Sequence, residues 1–373
     1  MSLIDTARLA YRTVVKNYPE QIVFSVTARC NFRCSMCYYT KDPSDNELTL
    51  DEYEKISRHI PNFHWMMISG GEPFLRDDLF EICQIFVRNN RVRKINLPTN
   101  AYFTELIIPT VERILNIRQD CFLNLGLSLH SIGKAHDEIA GVPGSFEHAM
   151  QTYRALQPLR KKYKNLGLAI PITYCSYNES AMRDLITFIF EKMEIDDICI
   201  NLIRGEPRLP GAKSFSHERY AESCRFLHEL IHRHKGYYFK LPFRGFYVSK
   251  DMVLRELILK TIRTGSFQIP CYAGRISAVI NELGNVYPCE LRNECLGNLR
   301  ETGYNFRDIW KGETRRTVLE DISGHRCFCT HECFNTTNIL FNPRLYGRLI
   351  RSWSTLHRKG WGLSFCRAKE KIR

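Results

Sequence analysis

Between residues 20 and about 205, six short apolar runs alternate with amphipathic stretches, and this alternation limits the possible folds more than any other feature. The runs are IVFSVT (22–27), MMISG (66–70), KINLPT (94–99), LNLGLSL (123–129), LAIPITY (168–174) and ICINLI (198–203). Each is brief, β-branched or Leu-rich, and bounded by Gly, Pro, Asn or charge, as strands are. Between them, LTLDEYEKISRHI offers Thr49 and Asp51 as caps, and RDDLFEICQIFVRNN has paired acids in its first turn. Six βα units in series predict a parallel sheet, open or curled into a barrel. Ligands of such sheets sit at the carboxyl ends of the strands.

The repeat predicts a core over 21–206, preceded by an N-terminal helix over 1–20. PRLPGAKSF (207–215) opens a linker and helical segment that runs to 266. A Cys-rich region over 267–343 and a basic helix or tail over 344–373 follow. No stretch approaches the roughly 20 apolar residues of a membrane span. The charged N-terminus has no cleavage-site pattern, so the expected location is the cytoplasm. Fifteen cysteines there are read as reduced thiols, which favours metal binding or catalysis over disulfides. Cys83, Cys121, Cys175, Cys199 and Cys224 are isolated, mostly in apolar segments, and read as core.

Three cysteines, Cys30, Cys34 and Cys37, fall within eight residues of RCNFRCSMCYY, just past the first strand. Zinc takes four protein ligands, or three and a water, whereas a [4Fe–4S] cluster takes four thiolates, or three with one iron open. Three soft ligands on one short polar loop favour the cluster. SGGEP (69–73) ends the next strand: its glycines allow close backbone approach, and Glu72 offers a carboxylate for an ammonium group.

CxxxCxxC after the first strand and GGEP after the second resemble the radical S-adenosylmethionine (SAM) superfamily. The resemblance implies a partial (β/α)6 barrel in which Cys30, Cys34 and Cys37 hold a [4Fe–4S] cluster. The open iron then takes the methionine part of SAM, and reduction cleaves SAM to a 5′-deoxyadenosyl radical that abstracts a substrate hydrogen. It further implies SAM contacts from Gly70, Gly71, Glu72 and Pro73, from Thr99 and Asn100 in LPTNA, and from Ser128. HDEIAGVPGSF (136–146) is similar to the family's HDxIRGxPGSF, but Ala140 stands where an arginine can reach the SAM carboxylate. Either that contact is absent or another cation makes it. Arg204, at the end of the sixth strand, is the candidate for that role or for a substrate contact. Met36 also departs from the pattern, which has an aromatic residue before the third cysteine.

Behind the barrel, CYAGRISAVINELGNVYPCE (271–290) reads as a hairpin with its turn near Gly284-Asn285 and Cys271 and Cys289 at its ends. With CFCTHEC (327–333) it resembles the SPASM or twitch extension, a small α+β cluster-binding domain. Only Cys327, Cys329 and Cys333 are present of the longer SPASM pattern. The expectation is therefore one auxiliary [4Fe–4S] cluster, held by Cys271, Cys289, Cys333 and either Cys327 or Cys329. A zinc ribbon built from the same thiols is the alternative. Glu290, next to Cys289, matches a carboxylate that acts as general base in sulfatase-maturing relatives.

The expected function is hydrogen abstraction from a small-molecule, sugar or lipid-linked substrate, ending in oxidation, epimerisation or related remodelling. A flavodoxin or ferredoxin type of electron donor is implied. Only 29 residues precede Cys30, which tilts the reading away from peptide-modifying relatives with an N-terminal recognition domain. Sulfatase-maturing relatives lack that domain too, so a peptide- or protein-modifying maturase is the alternative. The net charge of +13 admits nucleic acid or an anionic membrane. GGEP disfavours a nucleic-acid binder. Nine Lys or Arg against one acid from Phe341 to Arg373, with Trp353 and Trp361 interleaved, allow peripheral membrane contact.

Overall fold

The computed structural model describes residues 17–40, 42–233, 244–324 and 327–356. Most of the helix expected over 1–20 lies outside these residues, and 17–20 are not helical. Six strands form a parallel sheet in chain order: β1 (Gln21–Thr27), β2 (Trp65–Gly70), β3 (Lys94–Thr99), β4 (Phe122–Leu127), β5 (Leu166–Tyr174) and β6 (Asp197–Leu202). β6 pairs only with β5, so the barrel is partial. Burial alternates along β3 and β6, as a sheet covered by helices on one face requires.

The crossovers are α1 (Leu50–His59), α2 (Leu79–Asn89), α3 (Thr104–Ile117), α4 (Lys134–Ala140) with α5 (Ser145–Lys162), and α6 (Met182–Lys192). Thr49 caps α1 in a capping box with Glu52, while the hydroxyl of Ser145 and the amides of Gly144 and Phe146 bond to Asp137. HDEIAGVPGSF therefore works first as a joint that aims α4 and α5. Phe24, Tyr53, Phe63 and Phe86 form an aromatic knot between β1, α1 and α2, with Phe24 and Phe86 centroids 4.5 Å apart.

The Cys-rich region does not stand apart from the barrel. β7 (Ser277–Ile280) pairs in parallel with β1, in register Ile22 to Ala278, and β8 (Asn285–Tyr287) and β9 (Gly297–Asn298) continue the sheet antiparallel. The result is one nine-stranded sheet. The other helices are α7 (His217–Arg233), α8 (Arg244–Thr264), α9 (Phe306–Lys311), α10 (Glu313–Ser323), α11 (Glu332–Leu340) and α12 (Tyr346–Leu356). Among the described residues no helix is long and apolar enough to cross a membrane.

Candidate active site

The loop from Ala28 to Leu48 leaves the carboxyl end of β1 and is closed at its base by buried charge. Arg76 donates to the carbonyls of Val26 (2.9 Å) and Leu48 (3.0 Å), and Glu47 accepts from the Thr27 hydroxyl and the Ala28 amide. Along its length the loop is held by backbone contacts that tolerate no side chain. A Cβ on Gly71 would meet the Arg29 carbonyl oxygen at 2.1 Å, and one on Gly141 the Arg33 oxygen at 2.9 Å. Arg33 and Ser35 donate their amides to Ala140 and Ile139, and Arg208 and Leu209 donate theirs to Cys37 and Ser35. The cysteine loop is thus clamped between the end of α4 and the segment after β6.

Cys30, Cys34 and Cys37 share a cavity of about 340 Å³ with Gly70, Gly71, Glu72, Thr99, Asn100 and Ser128. Pro73 is buried and opens the short turn behind that wall. Burial, with repulsion from Cys37 and Cys30, pushes the Cys34 thiol up to about 12, and burial raises Cys30 to about 11. Burial thus disfavours the free thiolate here, and metal binding would take the place of the proton on each sulfur. Among the described residues no three His, Cys, Asp or Glu side chains converge on a single point as one ion requires. A four-iron cluster spreads its thiolates over the corners of a cube, and the cavity between these three fits that donor set.

The Glu72 carboxylate is already engaged, accepting from the Asn100 amide (2.7 Å), the Thr99 hydroxyl (2.9 Å) and the Phe74 amide (3.2 Å). Burial still pushes it up to about 7. It braces the ends of β2 and β3, whereas an open carboxylate was expected. Asn100 continues the brace through its side-chain amide to Asn31 (2.7 Å) in the cysteine loop. Ala101 then takes a left-handed φ of 61°, held by the Ala101 amide on Thr99 Oγ1.

Arg204 does not line the cavity. Its guanidinium lies 3.8 Å from Glu290 and 3.5 Å from Glu332, and it faces the Tyr38 ring. The cations on the cavity wall are Arg33 and Arg208. Sequence reasoning passed over Arg208 because it lies six residues beyond the end of β6, in a segment read as a linker. Two buried histidines also line the cavity. The Thr173 amide donates to His130 Nδ1 and the His130 amide to His136 Nδ1, each at 3.1 Å. Burial holds both rings neutral, at about 3 and about 4, so their protons sit on Nε2. His136 Nε2 has no hydrogen-bond partner among the described residues.

Glu290 is the centre of a second buried group. It accepts from His331 Nε2 (2.7 Å), the Tyr38 hydroxyl (3.1 Å) and the Ser69 hydroxyl (3.2 Å). Burial works against its charge, but His331, Arg204 and Tyr38 hold the carboxyl at about 2. Tyr38 follows Cys37 as Glu290 follows Cys289, so this bond ties the two cysteine regions together. Of the auxiliary thiols, Cys271, Cys327 and Cys329 line one small cavity of about 30 Å³. Cys271 and Cys329 are also the thiols that raise Cys289 beyond the effect of burial. Cys333 has Arg204, Glu290 and Glu332 as its charged neighbours. Cys271, Cys289, Cys327 and Cys329 thus lie near one another, with Cys333 nearer the Glu290 group.

Two family models match the chain: the radical SAM superfamily over residues 24–189 and SPASM, an iron–sulfur cluster-binding domain, over 271–334. The chain is 26% identical over 318 residues to the AdoMet-dependent heme synthase of Methanosarcina barkeri, covering 82% of this chain and 86% of that protein. It is 30% identical over 178 residues to the pre-heme d1 synthase of Dinoroseobacter shibae, covering 46% of this chain and only 41% of that protein. In fold it is similar to anSMEcpe with bound AdoMet, with a TM-score of 0.61 at 15% identity over 91% of this chain and 100% of that one.

Proposed function

We infer, for a chain that belongs to the radical SAM superfamily of enzymes and carries an iron–sulfur SPASM domain behind its barrel, that it removes a hydrogen atom from an unactivated C–H position of a small-molecule, sugar or lipid-linked substrate. A [4Fe–4S] cluster and SAM, when bound, supply this chemistry as a 5′-deoxyadenosyl radical formed by one-electron reduction. The observation that supports the reading is the meeting of Cys30, Cys34 and Cys37 with Gly70, Gly71, Glu72, Thr99, Asn100 and Ser128 around one cavity.

In this reading Cys30, Cys34 and Cys37 hold the SAM cluster, and Cys271, Cys289, Cys327 and Cys329 hold one auxiliary cluster. Gly70 and Gly71 let the ligand approach backbone, while Glu72 keeps their turn rigid. Arg208, on the cavity wall, meets the SAM carboxylate in place of Arg204, and the Nε2 proton of His130 orients the ligand. Glu290 Oε1 or Oε2 accepts the proton that a substrate radical must lose. The electron comes from a donor of the flavodoxin or ferredoxin type.

The relatives by sequence are named for small molecules, heme precursors and GTP among them, which favours a small substrate. A peptide substrate is the second reading, drawn from fold neighbours solved with peptides. The test is anaerobic reconstitution with iron and sulfide, followed by dithionite and SAM. About eight irons per chain and release of 5′-deoxyadenosine are expected. A Cys34→Ala protein that still released 5′-deoxyadenosine would sink the assignment.

A further inference from the structure

On β2, β3 and β4 the side chains facing the helices are buried, while those facing the barrel interior are half-buried. Each of these strands has a neighbour on both sides, so the exposed area opens into the barrel. Bulky branched side chains ordinarily fill such an interior. Here it is open and largely polar. Asn96 of β3 lies beside Asn124 of β4 in the sheet register, and Lys94 lies one place lower, between Trp65 and Phe122.

This polar surface leads up to the site already described. Pro98, on the same face of β3, belongs to the cavity wall. At about 3.3 Å per residue, Asn96 is about 7 Å and Lys94 about 13 Å below it. Ser69, on the same face of β2, donates to Glu290. The interior therefore runs from Lys94 toward both the cavity and Glu290.

The hydrogen-bonding capacity left over here is mostly that of donors. Asn96 Oδ1 accepts from Trp65 Nε1 (3.2 Å), which leaves the Asn96 N–H groups over. Among the described residues the Asn124 side chain makes no hydrogen bond, and Lys94 has no hydrogen bond or carboxylate within ion-pair distance. Lys94 Nζ lies instead 4.7 Å from the centre of the Trp65 ring. The charged and titratable groups around it are Lys250, Asp197, Cys199 and Asp251. Asp251 is paired with Lys250, and Asp197 accepts from the Cys199 thiol (3.5 Å). These acids do not compensate Lys94, since burial and Lys250 pull it down to about 8. A cation short of negative charge, beside two carboxamides with N–H groups to spare, is completed by an anion.

We propose that the barrel interior takes an anionic end of the substrate, a carboxylate or phosphate, on Lys94 and the N–H groups of Asn96 and Asn124. The other end of the molecule then lies at the cavity, where its C–H bond reacts. The proposal rests on the reading of the chain as an enzyme that abstracts hydrogen from a small substrate, and it narrows that substrate to an anion. An uncharged sugar or a lipid chain entering the barrel would leave these donors without acceptors.

The test is reductive methylation of the reconstituted chain with formaldehyde and cyanoborohydride, read lysine by lysine by mass spectrometry. At constant ionic strength, chloride is exchanged for acetate or for inorganic phosphate. Lys94 should be methylated in chloride, and an anion of the matching kind should slow this at least about tenfold, as a charge-assisted hydrogen bond would. The stronger protector tells whether the substrate carries a carboxylate or a phosphate. Exposed Lys161 and Lys192 should react alike in all three salts. Asn124→Leu should weaken the protection about threefold at an unchanged melting temperature. Three results would overturn the proposal: no methylation of Lys94 in chloride, equal rates in all three salts, or equal slowing at Lys161 and Lys192. No SAM cleavage is read here, so the anion site and the release of 5′-deoxyadenosine can fail separately.

Discussion

The two cysteine regions bring their thiols together by opposite routes. Cys30, Cys34 and Cys37 come from a single loop, held in shape by backbone contacts so close that Gly71 and Gly141 leave no room for a Cβ. Cys271, Cys289, Cys327 and Cys329 span almost sixty residues and meet because β7 joins β1 and α11 carries the 327–333 segment back to the barrel. The first site is held by steric fit, and the second by strand pairing and buried charge. The seam between them is polar: Tyr38, Ser69 and Arg204 from the barrel surround Glu290 and His331 from the auxiliary region. A steric site should fail through small changes in bulk. A site assembled from distant segments should fail through changes in charge.

The largest effect is expected at the seam. Glu290→Gln keeps the shape of the side chain but removes the charge that Arg204 and His331 face. Product formation should fall at least about a hundredfold, the usual contribution of a general base. Cleavage of SAM without substrate turnover should persist, and so should iron content. Comparing 5′-deoxyadenosine with product by chromatography separates the two, and undiminished product would leave Glu290 a structural role only.

Next in size is Gly71→Ala, which sharpens the contrast because one methyl group attacks only the steric site. Its Cβ would force the Arg29 carbonyl away, at about 2–3 kcal/mol of stability by urea titration. Iron loss should be confined to the cluster of the cysteine loop. Gly133→Ala is the control, since nothing lies within 4 Å of the Cβ it would add. Only the left-handed φ of 56° opposes it, at about 1 kcal/mol.

The smallest effect is expected where Arg300, just after β9, grips Glu52 of α1. Arg300 donates to both carboxylate oxygens, and Tyr304 adds a third bond. Arg300 above all, helped by the Thr49 amide and Tyr304 against burial, holds Glu52 at about 2, below its ordinary 4.5. A carboxyl depressed on folding stabilises the protein above its unfolded value, and that stability is lost as pH falls from about 4.5 toward about 2. Glu52→Gln should flatten this part of the urea midpoint against pH and cost about 1 kcal/mol at neutral pH. A profile unchanged by the substitution would mean that the auxiliary strands attach to α1 by other contacts.

The six strands were legible because each is a local pattern of apolar residues between turn formers, and each observed strand starts or ends within two residues of its run. Thr49 was legible as a cap for the same reason. The pairing of β7 with β1 was not, because Ile22 and Ala278 are joined by a register that no local pattern encodes. Arg204 was read correctly as lying just past the end of β6, yet its side chain turns to Glu290 and Glu332 once those carboxylates come within reach. Glu72 lies on the cavity wall as expected, but its oxygens are bonded to Thr99, Asn100 and Phe74. Arg76 and Arg208 carried no signal beyond being ordinary polar residues near a motif, and His136 lay inside HDEIAGVPGSF without any sign that its ring would reach the cavity wall.

What the amino-acid sequence determined by itself is the chemistry on offer: three thiolates on one loop, a glycine turn beside them, and further thiols far along the chain. These depend on spacing within a few residues, and the backbone geometry of a strand, turn or short loop converts such spacing directly into position. Tertiary structure alone decided which distant thiols become a set, which arginine meets the cavity and which meets Glu290. Those choices depend on strand pairing and on the burial of charge, where each group takes the partner that best offsets its lost hydration.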